Sequence, residues 1–355
     1  MRKLIILQTI TPDYRKIFFQ TIKDELGENF ELYGGDNYFE TSIKDDVTIV
    51  KTKVNNFFFF NRKLLIQSHT LRLIFKKGLL VIELNPRILT NWIILIFRKL
   101  LNRKTIVWGH AWSREGKGSK TNNIRRLMKL LANQIVVYTN QQKRELLKEM
   151  PKKKIFSAPN AVFSSLKMKT NEDINESIIN IIYVGRLSSP KKPFFLVEAF
   201  AKEINSYPFR TKLIIVGEGE EKEKIKKYIA DNKLSKRIDL LGHISDYEKL
   251  KELYFTSLFS VSPGYVGLSI TQSLGFGVPM LVSKSENHSP EIEALELNEN
   301  GLFFNTNEID SFNKVLLKAF SNKKSWVQKR QKIMASCMKN YSTETMADTF
   351  IKFVK

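Results

Sequence analysis

Cysteine is almost absent from this 355-residue chain, which carries only Cys337. That excludes a disulfide framework and any cysteine-built zinc site, and it fits a reducing compartment. Histidine is nearly as scarce. His69, His110, His243 and His288 are scattered, with no pair at the i, i+4 spacing that holds a metal on a helix face. No apolar run approaches the ~18–20 residues of a membrane-spanning helix. The opening residues have a basic tip, Arg2-Lys3, but the apolar stretch after it is too short for a secretory leader. It reads as the first strand of a cytoplasmic protein. No internal repeat or low-complexity tract appears beyond the run Phe57–Phe60. At 43% hydrophobic, 26% charged and 11% aromatic, the composition excludes a disordered or collagen-like chain. The length exceeds what one core usually organises and predicts two domains of about 150–180 residues.

Acidic residues are missing from one region in particular. The chain carries +22 overall, and residues 51–170 hold 26 basic against 4 acidic side chains. Residues 1–50 are at −3 and 171–355 at +3. An excess so localised implies an acidic partner facing the first half. Basic residues mix there with Phe, Trp and Leu at helical spacing, in Val54–Lys77, Trp92–Lys104 and Ile124–Leu130. This is the signature of helices lying on a membrane surface. The expectation is an anionic membrane met by Phe57–Phe60 and by basic helices around Arg62–Lys77 and Arg98–Lys104. The plainer reading makes the apolar members core and the cations a solvated face. No recognition-helix, RNA-binding or zinc-finger pattern points to nucleic acid.

Apolar runs alternate with loops and amphipathic stretches along the whole chain. Strand-like runs are Leu4–Leu7, Val47–Val50, Leu79–Ile82, Thr105–Trp108 and Ile135–Tyr138. A second series is Ile179–Val184, Lys212–Val216, Ile238–Leu241, Leu258–Val261 and Met280–Val282. Helical segments such as Lys222–Ala230 and Ser311–Phe320 lie between them. The alternation predicts an α/β fold with parallel sheets. The polar, aperiodic stretch Ser164–Ser177 separates the series, and two doubly wound sheets joined there would place a ligand cleft between their carboxyl edges.

The chemistry concentrates at the ends of the second series of strands. The first ends in Val184-Gly185-Arg186-Leu187 and continues to Lys191. Gly185 permits a tight turn, Arg186 can fork two oxygens and Lys191 adds a point charge, which suits a diphosphate. A capped, solvated helix start is the plainer reading. The second ends in Val216-Gly217-Glu218-Gly219, a weak signal alone, and the third in Gly242-His243-Ile244. The fourth runs through Ser262-Pro263-Gly264-Tyr265-Val266-Gly267-Leu268 into a helix, so free N–H groups point toward one spot, an anion site in physical terms.

In order and spacing these four segments resemble glycosyltransferase family 4 of the GT-B superfamily. The resemblance covers nearly the whole chain and is most specific in its second half. It implies two Rossmann-like domains facing a central cleft: residues 1–165, a linker 166–178, residues 179–340, and a helix 341–355 packing back on the first domain. Arg186 and Lys191 would bind the donor diphosphate, with Gly185 and the Gly264, Tyr265, Val266, Gly267 and Leu268 loop around it. The chain at His243 and Ile244 would read the nucleotide base through backbone groups. Where the family has two carboxylates, this chain has Gly264 and Gln272. Gln272 is near-isosteric and keeps a donor and an acceptor for ribose hydroxyls, whereas Gly264 offers only backbone toward the donor sugar.

The first half matches more loosely. Pro12-Asp13-Tyr14-Arg15 resembles the Pro-Tyr-Arg entry of some sugar transferases. His110 ends a strand where many members place a histidine beside the donor, and Pro159-Asn160-Ala161-Val162 resembles a structural Pro-Asn-Gly-Val. Tyr14, Glu83 and Arg87 are candidates for the acceptor side. Glu291 and Glu293 are open between the donor sugar and a solvated helix start. The resemblance implies a retaining, hexosyltransferase-type enzyme that uses a UDP- or GDP-linked sugar and needs no metal or other cofactor. Its acceptor would be a lipid-linked saccharide of capsule, lipopolysaccharide or exopolysaccharide, at the inner face of the cytoplasmic membrane. The alternatives are a non-catalytic nucleotide-sugar-binding scaffold and a GT-B sugar-nucleotide 2-epimerase.

Overall fold

The first apolar run, Leu4–Ile10, is buried along its entire length. Its alternate residues serve two cores: Leu4 and Ile6 join one cluster, Ile5 and Leu7 another. A strand apolar on both faces belongs in a parallel sheet covered by helices on each side. The computed structural model describes residues 2–40, 45–113, 115–171 and 178–355, so the linker segment 172–177 lies outside the described residues. The chain divides into two compact units, residues 1–164 with 341–355, and residues 165–340.

Unit 1 contains β1 (Leu4–Ile10), β2 (Phe30–Gly35), β3 (Thr52–Lys53), β4 (Asn56–Phe59), β5 (Leu64–Gln67), β6 (Leu79–Glu83), β7 (Thr105–Trp108), β8 (Gln134–Val137) and β9 (Lys154–Ser157). Its helices are α1 (Lys16–Leu26), α2 (Leu89–Leu100), α3 (Thr121–Leu131) and α4 (Asn140–Glu149). Seven strands form a parallel sheet in the order β3-β2-β1-β6-β7-β8-β9, and β4 and β5 form a separate antiparallel hairpin. Unit 2 contains β10 (Asn180–Val184), β11 (Leu213–Val216), β12 (Ile238–Gly242), β13 (Ser257–Ser262), β14 (Met280–Ser283) and β15 (Gly301–Phe304). Its helices are α5 (Pro193–Lys202), α6 (Lys222–Asp231), α7 (Tyr247–Phe255), α8 (Ser269–Gly275), α9 (Ile309–Ser321), α10 (Lys323–Gln328) and α11 (Arg330–Tyr341). Its parallel sheet has the order β12-β11-β10-β13-β14-β15. The last helix, α12 (Thr343–Ile351), belongs to unit 1, where it packs on α1.

Each sheet reverses its winding at one point, between β1 and β6 in unit 1 and between β10 and β13 in unit 2. Loops leaving neighbouring strands diverge there, which opens a crevice at the carboxyl edge.

Three sequence expectations fail. Val47–Val50 is a turn and not a strand, with Val47 84% and Val50 93% exposed. Asp46 accepts the Thr48 N–H at 2.8 Å, so a local side-chain bond bends the backbone before it can pair. The basic stretch from Phe57 to Lys77 is not an interfacial helix. It forms the β4–β5 hairpin and a short 3₁₀ turn at Leu71–Ile74. Four consecutive phenylalanines favour the pleated conformation, and Phe60, Asn61 and Arg62 turn the chain with positive φ. Phe58 packs edge-on against Phe39, while Phe57 and Phe59 point to solvent. Arg98 is no surface cation either. It is wholly buried and binds the carbonyls of Leu73, Lys76, Gly78 and Lys104 and the Thr105 hydroxyl, stapling α2 to the loops around it.

Phe350 of α12 meets Trp108 at 4.7 Å and Phe18 at 5.5 Å between ring centres, filling the space beneath β7. Replacing it with alanine should cost about 3–5 kcal/mol of unit 1 stability. Urea unfolding followed by tryptophan fluorescence should show an earlier transition in Phe350→Ala.

Candidate functional site

Unit 1 holds a pocket of about 280 Å³ at its winding reversal. Gln8 and Ile10 enter it from β1, Glu83 and Leu84 from β6, and Trp108 to His110 from β7. The sequence-derived candidates Tyr14, Glu83, Arg87 and His110 all stand on its wall. His110 is exposed, with its ring 4.7 Å from that of Tyr138. Glu83 accepts the Thr9 N–H, and burial pushes its carboxyl above the ordinary value against the pull of that bond and of Arg15. Arg87 points its guanidinium at the carbonyls of Arg62 and Lys63 and lies 3.9 Å above the Phe39 ring, so it also braces the hairpin turn.

Sequence reasoning passed over four residues of this wall. Arg15 is buried beneath it, 4.5 Å over the Trp108 ring and bonded to Tyr138 and Asn160. Arg125, grouped by its spacing with the surface cations of α3, instead donates to the carbonyls of Leu84 and His110. Tyr38 and Tyr138 complete the wall. Arg15 sits in a motif already singled out; the other three carry no local signal.

In unit 2 the loop after β10 and the loop after β13 meet. Lys191 donates to the Tyr265 carbonyl at 2.9 Å and lies 3.7 Å over the Tyr265 ring. Arg186, exposed, reaches the Tyr265 hydroxyl at 3.4 Å. A Cβ added to Gly267 would stand 3.8 Å from both the Lys191 ammonium and the Ser289 hydroxyl. Arg186, Lys191 and the Gly264–Leu268 loop therefore share one place. Gly185 closes β10 by donating to the Val216 carbonyl. Gly264 has no room for a side chain: its Cβ would lie 2.2 Å from the Pro190 carbonyl oxygen. Gln272 is half-buried on α8, which at seven residues has a short dipole, so the positive charge here comes from Arg186 and Lys191. His243, exposed, and Ile244, half-buried, follow the edge strand β12, two strand spacings or about 10 Å from β10. Glu291 is buried, contrary to a solvated helix start, while Glu293 is half-buried.

One support of the loop carried no sequence signal. His288 accepts the Val266 N–H at Nδ1, at 3.0 Å, and its Nε2 hydrogen goes to the Ser283 carbonyl at 2.8 Å. The first bond requires the neutral ring, since a protonated Nδ1 cannot accept. Among the described residues no three His, Cys, Asp or Glu cluster to hold a metal.

Residues 165–336 match the family model for glycosyl transferases group 1. Among curated relatives, the α-monoglucosyldiacylglycerol synthase of Acholeplasma laidlawii is 29% identical over 139 residues, 38% of this chain and 33% of that protein. The O-antigen biosynthesis glycosyltransferase WbnH of Escherichia coli is 26% identical over 194 residues, 53% of this chain and 54% of that protein. The matched stretches thus span between a third and about half of these relatives. Among solved structures, Anabaena HepE in complex with UDP superposes with a TM-score of 0.72 at 14% identity, covering 99% of both chains. Sucrose-phosphate synthase of Thermosynechococcus elongatus gives 0.68 at 15%, covering 99% of this chain and 98% of that one. The fold is that of the GT-B glycosyltransferases.

Burial and the nearby Lys191 lower the His288 pKa, against the raising effect of the Ser283 carbonyl and Glu286. A depressed imidazole stabilises the fold fully above its unfolded value of 6.5 and loses that contribution as the pH falls from there toward the folded value. Thermal melts should therefore show the unit 2 midpoint dropping below pH 6.5, before carboxylates titrate. His288→Gln, which keeps an acceptor and a donor but no proton to gain, should flatten that limb.

Proposed function

We propose that the chain is a retaining, family 4-like glycosyltransferase that uses a UDP-linked sugar and extends a lipid-linked saccharide in surface-polysaccharide assembly. The observation that carries this reading is the meeting of Arg186, Lys191 and the Gly264–Leu268 loop in unit 2. As the glycosidic bond breaks, negative charge gathers on the departing diphosphate. Two fixed cations stabilise it most when it is fully developed, and such preorganised charge lowers the barrier without a divalent ion. The Lys191 ammonium exchanges the Tyr265 carbonyl for a phosphate oxygen, a stronger, charge-assisted bond. Gln272 takes the ribose hydroxyls, and the backbone at His243 and Ile244 reads the base. With no side chain possible at Gly264, the donor sugar is read there by backbone. His110 is the catalytic group we assign to unit 1. No protein nucleophile is assigned: the acceptor attacks on the face of departure and the leaving phosphate takes its proton. The relative named for O-antigen biosynthesis and the fold neighbour captured with UDP support the substrate classes.

The same reading places the enzyme on the inner face of the cytoplasmic membrane. No helix among the described residues is long and apolar enough to cross a membrane, so contact would be peripheral. Exposed apolar side chains occur along the cation-rich stretch 51–170: Phe57 and Phe59 on the hairpin, Ile96, Phe97 and Leu100 on α2, and Leu127 on α3. Helices α2 and α3 pack side by side, which joins their apolar faces. Each Lys or Arg near an anionic leaflet contributes about 1 kcal/mol.

Two measurements check these readings. UDP release from a panel of UDP-sugars should require acceptor and survive EDTA. Arg186→Ala and Lys191→Ala should each weaken UDP binding by about 1.5–3 kcal/mol, roughly 10- to 150-fold. Unchanged UDP affinity in the double variant, loss of turnover with EDTA restored by Mg²⁺ or Mn²⁺, or interconversion of donor sugars would overturn the assignment. Separately, the full chain should co-sediment with phosphatidylglycerol vesicles and not with phosphatidylcholine ones. Salt should release most of it, the screening length being ~8 Å at physiological ionic strength, and Phe97→Glu with Leu100→Glu should abolish the salt-resistant fraction.

A further inference from the structure

The described wall of the unit 1 pocket holds more positive than negative charge. Arg15, Arg87 and Arg125 stand on its wall, and each gives its hydrogen bonds to neutral oxygens alone: a tyrosine hydroxyl, an asparagine amide and four backbone carbonyls. Among the described residues of the wall the one carboxylate is Glu83, whose pKa burial raises against the pull of Arg15. Arg15 is only 5% exposed and has Glu83 as its charged neighbour, but its hydrogen bonds go to neutral oxygens, and a guanidinium taken out of water without a directly bonded anion is costly to keep. Three buried donors of this wall also lack an acceptor: Arg15 Nη1, Arg125 Nε and the Trp108 indole Nε1. Donors in excess and three arginines to one described carboxylate describe a site shaped for a guest that brings both acceptors and negative charge.

We propose that this pocket binds a sugar ring carrying an oxyanion, a phosphate or a carboxylate, so that the acceptor of the transfer ends in an acidic saccharide. The proposal rests on the transferase reading above for the word acceptor, and on unit 1 alone for the chemistry. At about 280 Å³ the space is near the lower bound of roughly 300 Å³ for small-molecule sites and suits a single ring. Tyr14, Tyr38 and Tyr138 supply flat faces for the C–H side of a sugar, while Arg125 and Arg15 give the planar forks that favour an oxyanion over a hydroxyl. Glu83 is left for a ring hydroxyl, which it serves as acceptor when ionised and as donor when protonated.

The test is binding to the full chain, read by tryptophan fluorescence, with glucose 6-phosphate, glucuronate, glucose and inorganic phosphate as probes. Excess UDP is present to occupy the unit 2 loop, and the titrations are repeated in the Arg186→Ala/Lys191→Ala chain. The expected result is at least tenfold tighter binding of glucose 6-phosphate or glucuronate than of glucose or of phosphate alone, in both backgrounds. Arg125→Gln should erase the preference and Arg125→Lys, which keeps the charge but not the fork, should keep only part of it, with UDP affinity unchanged in each. Equal binding of charged and neutral sugars, a preference indifferent to Arg125→Gln, or inorganic phosphate binding as tightly as the sugar phosphate would each overturn the proposal. Because Arg15→Gln risks the fold, Arg125 is the residue varied. Failure of UDP to bind would overturn the donor reading and leave this comparison intact.

Discussion

The unit 2 site depends on how closely three backbone segments approach one another. A Cβ at Gly217 would fall 1.9 Å from the Gly185 carbonyl oxygen, one at Gly219 2.4 Å from that of Leu187, and one at Gly264 2.2 Å from that of Pro190. The segment 185–191 is thus gripped from the β11 side by two glycines and from the β13 side by a third. Arg186 and Lys191 ride on that segment, so backbone contact sets where their side chains start, and Tyr265 then meets both of them. Fixing a charge before the ligand arrives removes the ordering cost from binding and from the chemical step. It also gives Gly264 a physical reason. A carboxylate at that position would have to push the Lys191 loop aside.

The unit 1 pocket is built on a different principle. Its charges lean on aromatic faces and carbonyl dipoles: Arg15 over Trp108, Arg87 over Phe39, Arg125 on the Leu84 and His110 carbonyls. Such contacts hold a guanidinium in place while leaving its net charge available. One unit arranges cations by main-chain wedging, the other by stacking, and both do so at the reversal of their sheets.

The sequence made the central strands and the unit 2 loops easy to read, because a buried parallel strand is a short apolar run and the glycines mark where backbones must touch. It misled where two periods overlap. Phe57–Phe60 followed by basic residues fits a surface helix by composition, yet the pairing of Phe57 with Ile66 and Phe59 with Leu64 makes a hairpin, a contact that no local pattern encodes. Strands β2, β9 and β15 escaped because their runs are short or broken by charge and glycine. Arg98 and Arg125 looked like surface cations because a helical wheel cannot tell a solvated arginine from one that ties down carbonyls across a loop. Residues 1–164 do not hold the whole of the unit 1 core either.

That last point bears on how the protein is made. The aromatic patch of Phe18 and Trp108 is covered by Phe350, and the Phe163 carbonyl accepts the Thr343 N–H at 3.0 Å, so the first unit closes only with a segment translated after all of the second. Residues 165–340 can acquire their own core as they emerge, while a bare apolar face waits behind them. On the ribosome the interior domain is therefore complete first and the outer one last. Until α12 arrives, the Phe18 and Trp108 faces that Phe350 covers stay bare.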